Sequence, residues 1–174
     1  GIEIAYDDRG CRDDPAILLI MGLATQMIAW PEPFCDGLAA RGFRVVRFDN
    51  RDVGLSIKFE AAPPIDLGAI LQQVMTGEKI NPPYDLTDMA ADTVGLLDRL
   101  EIDKAHVVGA SMGGMIAQIV AAKYPNRMRS LVSIMSSSGD PGLPPMNAIM
   151  QARPVGSDRE LAIQHGMRVY RAIG

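Results

Sequence analysis

No stretch of this chain limits its fold more than the run His106-Val107-Val108-Gly109-Ala110-Ser111-Met112-Gly113-Gly114. It carries Gly-x-Ser-x-Gly at Gly109, Ser111 and Gly113. A strand-like stretch, Ala105–Val108, precedes it, and Met112–Lys123 follows with the texture of a helix stopped before Pro125. A strand that turns into a helix this sharply crowds the backbone two residues to either side of the serine. Glycine at 109 and 113 removes that conflict. The turn would lift the Ser111 hydroxyl above the end of a sheet. The helix N-terminus behind it would aim N–H groups and a partial positive charge at any negative charge developing there. Two plainer readings compete. A Gly-rich turn whose serine merely caps a helix has the same spacing, but the strand before and helix after favour an exposed nucleophile. A phosphate-binding loop needs the Lys and Ser/Thr of a Walker A motif, which are missing, and Ala110 breaks G-x-G-x-x-G.

The rest of the chain alternates in the same way. Ile2, Ile4 and Tyr6 predict a short strand closed by a turn around Asp8–Gly10. Ala16–Met21 is a continuous apolar run, as in a strand buried on both faces of a parallel sheet, and Gly22 ends it. Pro33–Arg41 predicts a helix with Phe34, Leu38 and Ala39 on one face and Gly42 as its stop. Arg44–Phe48 predicts the next strand, followed by the polar loop Asp49–Ser56. Pro63–Pro64 and Pro82–Pro83 bracket an irregular stretch with a short helix expected around Leu67–Met75. Thr87 is the expected N-cap of a helix carrying Met89, Thr93, Leu96, Leu97 and Leu100 at helical spacing. Ser130–Met135 reads as the last clear strand. Strands alternating with helices predict an α/β fold, a mostly parallel sheet flanked by helices, over residues 1–136. Residues 137–174 are expected to begin a separate helical cap. A breaker-rich linker, Ser136–Pro145, leads into it, and Ser157 with Glu160 forms a capping box for a helix reaching toward Ala172.

Composition narrows the partners. The 174 residues suffice for one core, and 48% hydrophobic with 22% charged residues fits a folded domain. A net charge of -4 argues against nucleic acid, which needs a basic face. No run reaches the ~18 apolar residues that span a bilayer, so no membrane association is expected. No basic segment followed by an apolar one reads as a signal peptide, although a chain beginning at Gly1 is also compatible with a removed signal. Cys11 and Cys35 match no metal motif and read as free thiols of a reducing compartment. A cytoplasmic protein with neither metal nor cofactor is the expectation. Only two histidines, His106 and His165, are available to serve as a base.

Two further segments bear on the chemistry. Leu19-Ile20-Met21-Gly22-Leu23-Ala24 is a strand end followed by glycine, where backbone approaches a ligand closely. Acyl transfer needs two N–H groups to hold an oxyanion. Met112, directly after the serine, and Leu23, in the loop after the strand, are the expected donors. The other segment, Phe48-Asp49-Asn50-Arg51-Asp52-Val53-Gly54-Leu55-Ser56, is a polar cluster at a strand end. It is expected to be structural, with an Asp49–Arg51 ion pair bracing the loop beside the oxyanion turn.

In this order and spacing the three segments resemble the α/β-hydrolase superfamily across nearly the whole chain. FDNRDVGLS together with HVVGASMGGMIAQ is similar to the aclacinomycin methylesterase-like group. That resemblance implies a cofactor-free esterase acting on a small apolar ester. It would use a serine nucleophile at Ser111, an acid after a later strand and a histidine near the C-terminus, the last two expected beyond Gly174. The chain is accordingly expected to be the N-terminal part of a longer hydrolase, clipped also before its first strand. It should be nearly inactive alone and completed by a C-terminal remainder that continues the sheet. Met21 stands where the group has a histidine before the oxyanion glycine, and Asp52 where it has a glycine. His106, at the far end of its strand, is expected to be structural. His165, on a cap helix, is expected to be solvated. Asp140 occupies a position that some members use for the acid. Met21, Gly22, Trp30 and Met115, with Met112 and the cap residues Met146 and Met150, are expected to line an apolar pocket. Perhydrolysis or carbon–carbon bond hydrolysis on the same scaffold, or a non-catalytic small-molecule receptor, are the alternatives.

Overall fold

The apolar run Ala16–Ile20 is a strand buried along its whole length, a pattern allowed only where helices cover both faces of a sheet. It is β2 of the five strands among the described residues. The others are β1 (Tyr6–Arg9), β3 (Arg44–Phe48), β4 (Ala105–Ala110) and β5 (Met128–Ile134). These are seen in a computed structural model that describes residues 1–59 and 82–138. The helices expected around Leu67–Met75 and from Ser157 toward Ala172 lie outside the described residues, as do Asp140, Met146, Met150 and His165. The chain divides after Ser137, and all five strands belong to the unit Gly1–Ser137.

The strand order is β1-β3-β2-β4-β5, with β1 antiparallel to β3 and every other pair parallel. Helices α1 (Glu32–Ala39), α2 (Leu86–Arg99) and α3 (Met112–Lys123) supply the layers. Side chains alternate along β2 and β3, and the two faces build two cores. Leu18, Ile20, Val46 and Phe48 pack with Met89 and Leu97 of α2 and Ile116 and Val120 of α3. Ile17, Leu19 and Val45 pack with Trp30 and with Cys35 of α1. This is the mostly parallel α/β sheet that the alternation of strand and helix predicts.

Several boundaries differ from expectation, each for a physical reason. The first strand is Tyr6–Arg9, not Ile2–Tyr6, because pairing with β3 sets Tyr6 opposite Phe48 and Arg9 opposite Val45. In that register Asp7 and Asp8 reach the buried guanidiniums of Arg47 and Arg44. Helix α1 buries Cys35, whereas Phe34 is exposed and stacks on Trp30 with centroids 5.8 Å apart. Gly42 does sit in the left-handed region, at φ 82°, just past the helix. The cap of α2 is Asp85, not Thr87. Its carboxylate accepts from the N–H groups of Thr87 at 2.6 Å and Asp88 at 3.1 Å, and Asp88 accepts in return from the Asp85 N–H at 2.9 Å. β4 runs on to Ala110, and β5 is Met128–Ile134 in place of Ser130–Met135.

Candidate active site

Ser111 alone forms the turn between β4 and α3, at φ 54° and ψ -123°. A non-glycine residue there is strained and persists only when its surroundings over-determine it. The surroundings are specific. The Ser111 N–H donates to the Ile134 carbonyl at 2.9 Å, and its own carbonyl accepts from Gly114 at 2.9 Å and Met115 at 3.3 Å. The half-buried side chain forms no cap bond to the helix. The plain reading, a serine that merely caps α3, is therefore not what the turn is built for.

The glycines around it are steric necessities. A Cβ on Gly109 would lie 2.6 Å from the Gly114 nitrogen, and one on Gly113 would lie 2.8 Å from the Met21 carbonyl oxygen. The second of these contacts shows the end of β2 pressed against the start of α3. Gly22, next along, touches the serine itself. A Cβ there would be 3.1 Å from the Ser111 Cβ and 3.5 Å from its Oγ. The loop after β2 thus passes directly over Ser111. The N–H groups of Leu23 and Met112 donate to no protein acceptor among the described residues. Met112 opens α3, so its amide belongs to the free first turn of the helix.

The polar loop after β3 holds this arrangement by different pairings from the expected ones. Asp49 does not pair with Arg51. Its Oδ1 accepts from the Met27 N–H at 2.7 Å and its Oδ2 from the Leu55 N–H at 3.0 Å. Arg51 turns to Asp92 of α2 in a two-bond pair, at 2.6 and 2.7 Å, with its guanidinium over the rings of both Phe59 and Tyr84. The carboxylate of Asp49 is needed by backbone amides, and the partner of Arg51 lies 41 residues away, where sequence proximity gives no hint. Asp52 accepts from the Tyr84 hydroxyl at 2.6 Å. Burial, and then that hydrogen bond, push the Tyr84 phenol up to about 12. Asn50, which sequence reasoning did not single out, donates to the Met21 carbonyl at 2.9 Å. A polar residue that directly continues an all-buried strand was the available signal.

Trp30 belongs to the core cluster on the α1 face, with Met21 partly buried against it and with the indole N–H unpartnered among the described residues, while Met115 is half-buried in the first turn of α3. A cavity of about 940 Å³ lies elsewhere, lined by Ile4, Asp8, Arg44, Leu96 and Arg99 among others and by none of the elbow residues. His106 stands at the start of β4 with its Nδ1 2.8 Å from the Ser130 hydroxyl and its ring edge-on to Phe43. It lies five residue steps along the strand from Ser111, roughly 16 Å. Among the described residues there is no group of three metal-ligating side chains, and no helix is long and apolar enough to cross a membrane.

A strand, a strained serine turn and a helix, with a second strand's loop laid over the serine, define a class. The chain belongs to the family described as alpha/beta hydrolase fold, whose family model matches residues 15–156. Among curated proteins it is similar to rhodomycin D methylesterase DauP of Streptomyces sp. (strain C5), 31% identical over 140 residues covering 79% of this chain and 41% of that protein. Among solved structures it is similar to a hydrolase from Pseudomonas aeruginosa PA01, at 30% identity and a TM-score of 0.63, covering 86% of this chain and 46% of the other. The enol-lactonase of Burkholderia xenovorans LB400 follows at 27% identity and a TM-score of 0.61, covering 79% and 45%. The chain thus spans about two-fifths of the length of the curated methylesterase it matches.

Proposed function

We propose that this chain carries the nucleophile and oxyanion half of a carboxylic ester hydrolase, with Ser111 forming the acyl-enzyme. The observation that carries the reading is the Ser111 backbone, held at φ 54° between β4 and α3 with Gly22 against its side chain. A strain of order 1–3 kcal/mol is retained there by surroundings that over-determine it, which is characteristic of a functional turn. The Ser111 hydroxyl attacks the ester carbonyl, and the negative charge moves to the carbonyl oxygen. The amides of Leu23 and Met112, free of other acceptors, donate to that oxygen. The alcohol leaves, and water then releases the acid from the acyl-serine. The similarity to a methylesterase supports an ester as substrate, and Met21, Gly22, Trp30 and Met115 are the candidates for its apolar contacts.

The proton of Ser111 requires a base. His106 is occupied with Ser130 at the other end of β4 and is the only histidine among the described residues. By analogy with the hydrolases it resembles, we assign the histidine and its orienting acid to a further part of the hydrolase, whose sheet adds to β5 and whose imidazole comes within about 3 Å of the Ser111 hydroxyl. Short aryl esters test the reading directly. Ser111→Ala in the complete enzyme should lower turnover by roughly 10³-fold or more while the fold is kept. Near wild-type hydrolysis by that variant would remove Ser111 from the mechanism. Adding the C-terminal remainder to the 174-residue chain should raise activity strongly, and full activity without it would contradict the division of the triad.

A further inference from the structure

We propose that Asp49 and Asn50 are positioning residues for the oxyanion loop, clamping residues 21–27 at both ends so that the Leu23 amide stays over Ser111. The inference rests on Ser111 being the nucleophile and adds how its oxyanion donor is held.

Both residues continue β3 at the end of the sheet where Ser111 stands, and both side chains are buried, Asp49 at 3% and Asn50 at 2% exposure. Asp49 binds one end of the loop through the Met27 N–H at 2.7 Å. Asn50 binds the other end by donating to the Met21 carbonyl at 2.9 Å. Between these anchors the loop has little of its own. Thr25 donates to the Gly22 carbonyl at 3.3 Å through its N–H and to the Leu23 carbonyl at 3.0 Å through its hydroxyl, and Ala24 sits at φ 51°. Leu23 is 74% exposed, so its side chain buries almost nothing that would fix the peptide. The position of its amide therefore depends on the two ends.

The clamp itself is rigid. The Asp49 N–H donates to the Ala5 carbonyl at 2.9 Å, and its carbonyl accepts from the Ser56 hydroxyl at 2.6 Å. Its second carboxylate oxygen is taken by the Leu55 N–H, and a Cβ on Gly54 would lie 2.5 Å from the Asp49 Cγ. With Arg51 committed to Asp92, the charge of Asp49 serves backbone amides rather than a cation. The Asn50 contact reaches the elbow as well, because the Met21 carbonyl it holds is the one that packs on Gly113. One side-chain amide thus ties the oxyanion loop to the turn that presents the nucleophile. An oxyanion donor acts over a narrow range of about 2.7–3.1 Å, and a displacement near 1 Å costs on the order of 10²-fold in rate.

Asn50→Asp tests this with almost no change of shape. In the complete hydrolase, with short aryl esters at neutral pH, kcat should fall roughly 10- to 100-fold with KM changed less than about threefold. Affinity for a trifluoromethyl ketone, whose hemiketal oxygen occupies the oxyanion position, should fall in parallel. A protonated carboxyl can donate to the Met21 carbonyl as the amide does, so the deficit should shrink as pH is lowered. Asn50→Gln, which keeps the donor, should recover part of kcat, and Asp49→Asn should show the same pattern of kcat loss. Unchanged kcat in both Asn50→Asp and Asp49→Asn overturns the inference, as does a loss that follows thermal unfolding instead of the ketone affinity. Ser111→Ala serves as the control. If it stays active, the nucleophile reading has failed. If it is dead while the Asn50 and Asp49 variants match wild type, only the clamp has failed.

Discussion

β1 and β5 both border the described sheet, and they are built in opposite ways. β1 is short and antiparallel, and its neighbourhood is saturated with paired charge. Asp8 takes the buried Arg44 and Asp7 takes the buried Arg47, while Arg9 bonds Asp7, Asp36 and Glu32. Arg44 spends a further donor on the Leu100 carbonyl, so the guanidinium is paired on more than one side. β5 is longer and parallel and carries Leu131, Val132 and Ile134 at 40%, 46% and 37% exposure, with β4 as its strand partner. Charges at an edge stop further pairing, whereas an apolar parallel strand is normally covered on both faces and paired on both sides. A strand's position in the sheet is thus written in its side chains. β1 is lined by paired charge and β5 by exposed apolar side chains, which supports the proposal that more sheet adds to β5.

The charged flank should be the more sensitive of the two to substitution. Asp8→Ala strands Arg44 in the interior with only the Leu100 carbonyl. Removing one member of a buried pair costs about 3–5 kcal/mol, and the 28% exposure of the Asp8 side chain brings the expected loss to about 2–3 kcal/mol. Urea unfolding with an unchanged slope reads it, and a loss under about 0.5 kcal/mol would show that the pairing is not what holds β1.

Acid should act on the same flank. Burial works against the Asp7 carboxylate, but hydrogen bonds from Arg9 and Arg47 outweigh it and hold the carboxyl below its ordinary range. A carboxyl lowered on folding contributes stability that is complete above about pH 4 and is lost as pH falls through the folded value. The urea midpoint should drop over that window, and Asp7→Asn should flatten the drop. At the other extreme, the Tyr84 phenol, raised to about 12, contributes stability that is present below about pH 10 and lost between pH 10 and 12. Tyr84→Phe should remove that alkaline step, and an alkaline step that survives the change would assign it to another group.

The smallest effect belongs to β5. Val132→Lys should change the stability of the 174-residue chain by about 0.5 kcal/mol or less, because the side chain is half exposed. It should also reduce self-association in light scattering. In the complete hydrolase the same change should be clearly destabilising. Equal, negligible effects in both would contradict further strand pairing at β5.

Much of this was legible in the residues. Arg44–Phe48 forms the strand its residues predict, Ala16–Met21 runs one residue past the observed strand Ala16–Ile20, and the elbow needed only its glycines, its serine and the elements on either side. What was not legible depended on distant partners. The Ile2–Ile4 alternation looked like a strand, but register with β3 and the inward Arg44 and Arg47 moved the pairing to Tyr6–Arg9. Thr87 reads as the cap from its residue type, but Asp85 caps the helix and Asp88 completes its box. Asp49 and Arg51 are near neighbours that looked like a pair, yet one binds the Met27 amide and the other Asp92.

The nucleophile is most directly tested by covalent capture. The complete enzyme is treated with a serine-directed fluorophosphonate, digested, and mapped by mass spectrometry. A single adduct on Ser111, formed in the native protein and abolished by unfolding or by Ser111→Ala, is the predicted result. No adduct at Ser111 in an enzyme that hydrolyses esters, or labelling at another serine with loss of activity, would contradict it.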